Sequence, residues 1–253
     1  MTDISQHLSI TSDGNIPDYT TLVSPIFEDL RKQKVHLHIT DTGVQLTCLE
    51  HAISPLSMSL IDRKKHLNAQ QNSRQPLIRA LGLSRKLSTE PTIRIVDLTA
   101  GFGIDSLCLA LHGYSVVSIE KNPITATVLN ILVHQYKSIT TTNWEVINAC
   151  SHTWLNNAQI PISHAMMDPF FQKRHHALPK NDMQWLIKLN QDIETPPIDE
   201  ETLFLKAKKI VTERIVVKRD RRAQPIDNQK PNAGSIQLKT TRLDIYQLAG
   251  FTR

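Results

Sequence analysis

A short apolar run that leads directly into a glycine-rich turn sets the strongest limit on how this chain can fold. Residues 93–98 read IRIVDL and residues 99–106 read TAGFGIDS. The first run has the composition of a buried strand, and a helical pattern begins at Ile104 and extends to Leu111. A strand, a glycine turn and a helix open a βαβ unit, which predicts a parallel sheet with a ligand near the turn.

Strand-like and helix-like segments continue to alternate towards the C-terminus. Further strands are predicted at Ser115–Glu120, Trp144–Ala149, Ser163–Asp168 and Arg214–Lys218, with a last antiparallel pair at Ser235–Leu238 and Leu243–Leu248. Helices are predicted at Pro123–Tyr136 and Thr202–Lys209. This order predicts an α/β fold with a doubly wound, seven-stranded, mostly parallel sheet.

The first seventy residues follow a different pattern. The segments VHLHIT and VQLTC alternate apolar and polar residues on both sides of a DTG turn, which predicts a β-hairpin. His36 and His38 share one strand face without a third ligand at suitable spacing, so a polar face is favoured over a metal site. We expect residues 1–70 to form a small, partly β N-terminal region and residues 71–253 to form the main domain.

Composition is that of an ordinary globular protein. Hydrophobic residues make up 40% of the 253 residues and charged residues 21%, and no apolar run approaches the length that spans a bilayer. The N-terminus lacks the basic and apolar segments of a signal peptide. Three distant cysteines argue against a disulfide framework or a cysteine-rich zinc site. We expect a cytoplasmic protein with no bound metal and no membrane partner.

Basic residues are concentrated in two segments of a chain whose net charge is +5. Seven basic residues and no acidic one lie between Arg63 and Lys86, and four more lie between Lys218 and Arg222. Both clusters fit a phosphate backbone, but a solvated surface fits the charge pattern equally well.

The glycine turn is better suited to a cationic nucleoside than to a phosphate. Ser106 occupies the position of the third glycine in the dinucleotide fingerprint, and no lysine follows as a P-loop requires. Asp97 and Asp105 would repel a pyrophosphate but suit the ammonium and sulfonium groups of S-adenosylmethionine (SAM). Glu120, at the end of the next strand, is placed to accept the ribose hydroxyls. NAD binding and a turn without any ligand remain the alternatives.

The tetrapeptide DPFF at residues 168–171 ends the fourth predicted strand of the main domain. An amine conjugated to a ring is a poor nucleophile, and acceptors for its N–H groups favour the pyramidal nitrogen needed for attack. Asp168 and the carbonyl of Pro169 supply such acceptors, and Phe170 or Phe171 can stack on a base. The motif therefore predicts methyl transfer to an exocyclic amine, with a plain β-turn as the alternative.

These motifs together resemble the bacterial RsmJ (YhiQ) family, which methylates guanine N2 near the 3′ end of 16S ribosomal RNA. The resemblance extends from about Leu60 to the C-terminus and rests on five stretches: VDLTAGFGIDS, IEKNP, INACSHTWL, MMDPFFQKR and RIVVKRD. It implies a Rossmann-like class I SAM-dependent methyltransferase fold, SAM as methyl donor, and ribosomal RNA or the small ribosomal subunit as partner.

The resemblance also implies roles for individual residues. Ile104 and Asp105 take the places of an Arg-Asp pair in the family's donor loop. The residues expected to bind the donor are Asp97, Gly101, Gly103, Ile104, Asp105, Glu120, Lys121, Cys150, Ser151 and Asp168. Asp168, Pro169, Phe170 and Phe171 are expected to orient the guanine. Those expected to contact RNA are Arg63, Lys64, Lys65, Lys173, Arg174, Lys218 and Arg219.

Two other functions remain open from the sequence. One is an N-methyltransferase that acts on another target, such as tRNA guanine, DNA adenine or a protein amide, with the same donor and amine chemistry. A non-catalytic RNA-binding module that retains a relic donor fold would also preserve these motifs.

Overall fold

A computed structural model describes residues 4–11, 19–50, 52–68, 75–83, 94–169, 179–191 and 199–248. Its strands are β1 (Leu8–Ile10), β2 (Val35–Ile39), β3 (Val44–Cys48), β4 (Leu56–Met58), β5 (Arg94–Asp97), β6 (Ser115–Glu120), β7 (Trp144–Asn148), β8 (Ile162–Met167), β9 (Val211–Asp220), β10 (Ser235–Gln237) and β11 (Thr241–Gln247). Its α-helices are α1 (Thr20–Val23), α2 (Phe27–Lys32), α3 (Leu60–Asn68), α4 (Pro76–Ala80), α5 (Ile104–Leu111), α6 (Pro123–Lys137), α7 (Ser151–Asn157), α8 (Asn181–Gln191) and α9 (Glu200–Ile210).

The main sheet has seven strands in the order β10-β11-β9-β8-β5-β6-β7. The strands from β9 through β7 pair in parallel, and β10 and β11 add an antiparallel edge. Apolar cores cover both faces of the sheet, as the continuous apolar runs of its parallel strands require. The fold class predicted from the sequence is confirmed.

The switch in strand order places a crevice beside β5. The chain proceeds outward from β5 to β6 and β7, then returns to place β8 and β9 on the other side of β5. In open α/β sheets, ligands bind outside the carboxyl ends of the strands at such a switch point. The predicted glycine turn follows β5 at this position.

A smaller sheet, in the order β1-β2-β3-β4, occupies the N-terminal region. β2 and β3 alternate buried and half-buried residues and form the predicted antiparallel hairpin. The Nε2 atoms of His36 and His38 lie 2.8 Å from Ser9 Oγ and 3.0 Å from Thr11 Oγ1, so both rings bind hydroxyls on the neighbouring strand.

Side-chain amides and an indole connect the N-terminal region to helices of the main domain. Gln135 Nε2 in α6 donates to the Thr40 carbonyl at 2.7 Å, and Trp185 Nε1 in α8 donates to the Ser54 carbonyl at 2.9 Å. One apolar core continues from the small sheet to the helices on one face of the large sheet. The domain boundary at residue 70 stays a prediction and lies outside the described residues.

Several short helices were not predicted from the sequence. α7 has only seven residues, of which Ser151 and Leu155 are buried, so its apolar period is too short to recognise. α8 buries Trp185 and Leu189 among polar residues. Within the described residues, no helix combines the length and apolar character needed to cross a membrane.

A buried ion pair stabilises the antiparallel edge of the main sheet. Arg242 binds Asp244 through two parallel hydrogen bonds, Nε to Oδ1 at 2.7 Å and Nη2 to Oδ2 at 3.0 Å. Asp244 is fully buried, and Ser235 Oγ also donates to it at 2.6 Å. Arg242 Nη1 donates to the carbonyls of Asp220 and Arg221, which ties β11 to the end of β9.

We predict that Arg242→Met lowers the free energy of unfolding by about 3 kcal/mol, because a buried carboxylate loses its cationic partner. Equilibrium urea unfolding measures the change. Arg221→Met, which removes an exposed arginine of the adjoining turn, is the matched control and should change stability by less than about 0.5 kcal/mol. Equal effects of the two substitutions would contradict the assigned role of the ion pair.

Candidate active site

Acidic residues from three neighbouring strands meet at the carboxyl edge of the main sheet. Asp97 ends β5, Glu120 ends β6, and Asp168 directly follows β8. Because β5 pairs with both β6 and β8, these strand ends lie side by side. The acids form a concentrated negative region at the switch point of the sheet.

Asp97 is buried at the base of the glycine turn and bonds to the protein itself. Its Oδ2 accepts from Ser106 Oγ at 2.7 Å, and its Oδ1 accepts from the Thr99 N–H at 3.1 Å. A chain of donors supports Ser106, since Trp144 Nε1 donates to Ser118 Oγ at 2.9 Å and the two serine hydroxyls are 2.7 Å apart. Burial raises the pKa of Asp97 to about 7, and the Ser106 hydroxyl opposes this rise.

The glycine turn takes a conformation that few other residues can adopt. Gly101 and Gly103 have φ values of +53° and +72°. A Cβ at Gly103 would lie 2.5 Å from Cδ1 of the buried Leu129 in α6, so a side chain there would force that leucine to shift. Gly103 therefore shapes the turn through packing, and Gly101 leaves its backbone N–H facing β6.

The Glu120 carboxylate accepts hydrogen bonds from two backbone N–H groups. Its Oε2 accepts from the Gly101 N–H at 2.9 Å, and its Oε1 accepts from the Asn122 N–H at 2.8 Å. Burial raises the pKa of Glu120, while these backbone bonds oppose the rise. Each carboxylate oxygen has two lone pairs, so Glu120 can still accept hydroxyl groups.

Asn122 supports this site, and the sequence analysis did not single it out. It is fully buried, caps α6 by accepting from the Thr125 N–H at 2.8 Å, and donates to the Leu189 carbonyl of α8 at 2.6 Å. A polar residue before Pro123 was the available signal, because Asn is a preferred N-cap and proline a preferred first helical residue. Asn122 thereby fixes the backbone on which Glu120 stands.

Thr99 connects the glycine turn to the loop that begins at Asp168. Its Oγ1 accepts from the Asp168 backbone N–H at 2.7 Å. Thr99 is thus bonded to Asp97 through its own N–H and to Asp168 through its side chain. This link sets the start of the DPFF segment relative to the donor loop.

Lys218 lies between two of the acids and forms an ion pair with each. Its Nζ is 2.7 Å from Asp168 Oδ2 and 3.2 Å from Asp105 Oδ2. Burial alone would lower the pKa of Lys218, but Asp105 and Asp168 outweigh it and raise the pKa above its ordinary value. Lys218 therefore stays charged and joins the start of α5 to the end of β8.

The remaining predicted donor-binding residues line the same edge. Cys150 is the N-cap of α7, and buried Ser151 donates to the Leu98 carbonyl at 2.5 Å. Lys121 follows Glu120 and is half-buried, and Ile104 is an exposed apolar residue at the start of α5. The structure brings all ten predicted donor-binding residues to one edge of the sheet, at the ends of β5 and β6 or in the turns and helix starts that follow β5 to β8.

The residues predicted to bind RNA fall in different surroundings. Arg219 Nη1 donates to Glu200 Oε2 at 2.7 Å, and Lys64 Nζ lies 5.6 Å from the centre of the Tyr136 ring. Arg63 is half-buried, and burial lowers its pKa. Outside the described residues lie Phe170, Phe171, Lys173 and Arg174, and the side chain of Lys65.

An apolar pocket of about 150 Å³ opens beside Asp105 and Lys218. Its walls come from α4, α5, β8, β9 and β11, and its lining includes Leu77, Ile104, Cys108, Met166, Val216, Leu238 and Leu243. Apolar walls with a small number of polar or charged groups are the usual lining of small-molecule sites.

The site fits SAM in charge and in backbone shape. The donor carries a sulfonium and an ammonium, and the acids at this edge complement both charges. The glycine turn places backbone without side chains next to an acid at a strand end. Nucleosides bind to sheets of this class at such a turn. No group of three or more His, Cys, Asp or Glu side chains within the described ranges is arranged to hold a metal ion.

Comparisons with known proteins agree with this geometry. A family described as "Putative SAM-dependent methyltransferase" matches residues 25–248. A relative from Hydrogenovibrio crunogenus named ribosomal RNA small subunit methyltransferase J is 31% identical, over 83% of this chain and 76% of its own length. A relative of the same name from Alkalilimnicola ehrlichii is 31% identical, over 85% of this chain and 83% of its own length.

A solved structure supports the fold alone. The SAM-dependent methyltransferase from Neisseria gonorrhoeae superimposes with a TM-score of 0.67 at 20% sequence identity and covers 97% of both chains. The sequence relatives confirm the resemblance stated from the motifs. The chain belongs to the SAM-dependent methyltransferase family whose members include the ribosomal RNA small subunit methyltransferases J.

Proposed function

We propose that this protein methylates the exocyclic N2 amine of a specific guanine in 16S ribosomal RNA. The observation that supports this most strongly is the position of Asp168, which starts the DPFF segment beside the donor loop and is bonded to Thr99. The names of the relatives support ribosomal RNA of the small subunit as the substrate. Such a substrate implies action in the cytoplasm, as the sequence composition led us to expect.

Donor binding is proposed to involve the loops after β5, β6, β7 and β8. When bound, SAM supplies an electrophilic methyl group. Glu120 accepts hydroxyl groups of the nucleoside, and Asp105 attracts the positive charge of the donor. Asp97 contributes indirectly, because its hydrogen bonds to Ser106 and Thr99 hold the glycine turn in shape.

The acceptor amine is proposed to bind at Asp168 and the Pro169 carbonyl. Both accept N–H bonds, which draws the nitrogen lone pair out of conjugation with the ring and aims it at the methyl group. The proline fixes φ, so these acceptors are in place before the base arrives. No strong base is needed, because the nitrogen becomes acidic once it is alkylated. In-line positioning supplies most of the rate increase.

RNA binding is proposed to use basic residues around the site. Arg63, Lys64 and Lys65 on α3, with Lys173 and Arg174 after DPFF, are the candidates for phosphate contacts. Arg219 is proposed to act only after it exchanges Glu200 for a phosphate. The target guanine must be unstacked to reach the pocket, and phosphate contacts make the affinity fall steeply with salt.

We predict that a strain lacking the gene loses one N2-methylguanosine from its 16S ribosomal RNA. Mass-spectrometric mapping of nuclease fragments locates the missing methyl group, and a plasmid-borne wild-type gene should restore it. An unchanged pattern of guanine methylation would rule out the proposed substrate.

We predict that Asp168→Ala lowers kcat by about 100-fold or more, because the acceptors that orient the amine act chiefly in the transition state. Donor affinity, measured by calorimetry with S-adenosylhomocysteine, should weaken by less than about fivefold, within the range of one lost polar contact. Glu145→Ala, an exposed position on β7, is the control and should leave both values unchanged. Near-normal turnover by Asp168→Ala would refute the role given to Asp168.

A further inference from the structure

We propose that Lys218 and Asp168 together read the Watson–Crick edge of the target guanine, which makes Lys218 a specificity-determining residue. This inference rests on the proposed function and deepens it. From the sequence, Lys218 was expected to contact RNA as one of a basic cluster. The structure gives it a more specific position, between the donor loop and the residue that orients the amine.

The surroundings of Lys218 do not suit a phosphate. Its Nζ lies 2.7 Å from one carboxylate and 3.2 Å from another, and both carboxylates would repel a phosphate group. An ammonium has three N–H donors, and Asp105 and Asp168 each present one oxygen to it. Within the described part of the chain these two contacts use two of the three donors, so the third can bind a neutral acceptor such as a base carbonyl.

The atoms of this ion pair form a row of hydrogen-bonding groups. Nζ of Lys218 is a donor, and the Asp168 carboxylate that it binds through Oδ2 is an acceptor with lone pairs on both oxygens. A carboxylate has about four lone-pair sites, so Asp168 can accept from a base without releasing Lys218. The 2.7 Å separation between Nζ and Oδ2 suits two hydrogen bonds that run side by side to one base edge.

Guanine has the complementary row on its Watson–Crick edge. O6 accepts, N1–H donates and the N2 amine donates, in that order. Adenine presents a donor and then an acceptor, cytosine a donor and then two acceptors, and uracil an acceptor on both sides of its single donor. Only guanine, with its acceptor, donor, donor order, complements the donor of Lys218 and the acceptors of Asp168, and this pairing places N2 against Asp168.

The adjoining pocket supplies the apolar walls that a base needs. Lys218 and Asp105 line it together with apolar residues that include Leu77, Met166 and Val216, and Asp168 adjoins it through its ion pair with Lys218. A cavity of about 150 Å³ has the size that holds one benzene ring, so the bicyclic guanine would enter it with one of its two fused rings. A base that enters with its faces against these side chains turns its polar edge towards the ion pair.

The test uses one change in the enzyme and one change in the base. The substrates are 16S ribosomal RNA from a strain lacking the gene, and the same RNA with 6-thioguanine at the target position, whose sulfur is a weak acceptor. We expect Lys218→Met to lower kcat/KM on the natural RNA by about 10- to 100-fold, which is the usual worth of one base-edge contact. Lys137→Met, an exposed lysine at the end of α6, should match the wild type.

Coupling between the two changes identifies the contact. For the wild type, kcat/KM should be about tenfold lower on the 6-thioguanine RNA than on the natural RNA. For Lys218→Met the two RNAs should give nearly the same kcat/KM, because this variant already lacks the donor to position 6. Lys218→Arg keeps the charge and should recover part of the rate. The affinity for S-adenosylhomocysteine should stay within a fewfold of wild type, whereas a purely structural role would lower it together with the rate.

Each part of the proposal can fail separately. A wild-type enzyme that methylates natural and thio-substituted RNA equally well would overturn the reading of O6, whether or not Lys218→Met folds. An equal sulfur penalty in the wild type and in Lys218→Met would overturn the role of Lys218 but leave the proposed function intact. If the wild type transfers no methyl group to any 16S guanine, the proposed function itself fails.

Discussion

A single ammonium group joins the two halves of the candidate active site. Lys218 comes from β9, Asp105 from the first turn of α5, and Asp168 from the end of β8, and the three side chains meet within hydrogen-bonding distance. Without this cation, two half-buried carboxylates above buried Asp97 would repel one another. The ion pairs thus allow the glycine turn with the start of α5 and the loop after β8, each with its own acid, to lie side by side.

The acidic character of this edge explains the choice of ligand. A SAM molecule brings the positive charge that the acids complement, while a dinucleotide would bring negative charge to the same place. The buried hydrogen-bond chain from Trp144 through Ser118 and Ser106 to Asp97 fixes the glycine turn from below. The backbone N–H of Asn122 donates to the Glu120 carboxylate and fixes its position. Buried polar residues therefore hold the glycine turn and Glu120, where we propose that the donor binds.

Much of the fold could be predicted from the sequence because periodicity and turn chemistry are local. The helix at Ile104–Leu111 and the strand at Ser115–Glu120 agree with the structure residue by residue. The pairing of Lys218 with Asp168 could not be predicted, because it depends on β9 lying next to β8 in a specific register. In the sequence, Lys218 stands among other basic residues and suggests phosphate binding. The identity of the two bonding partners of Asp97 likewise required the folded arrangement.

The position of the transferred methyl group tests the account most directly. Purified protein, isotopically labelled SAM and 16S ribosomal RNA from a strain lacking the gene are incubated, and the RNA is digested to nucleosides for mass spectrometry. The account predicts label in N2-methylguanosine alone. Label in 1-methylguanosine, in 7-methylguanosine or in a methylated adenosine would contradict it, because Asp168 and Lys218 would then not present the N2 amine to the donor.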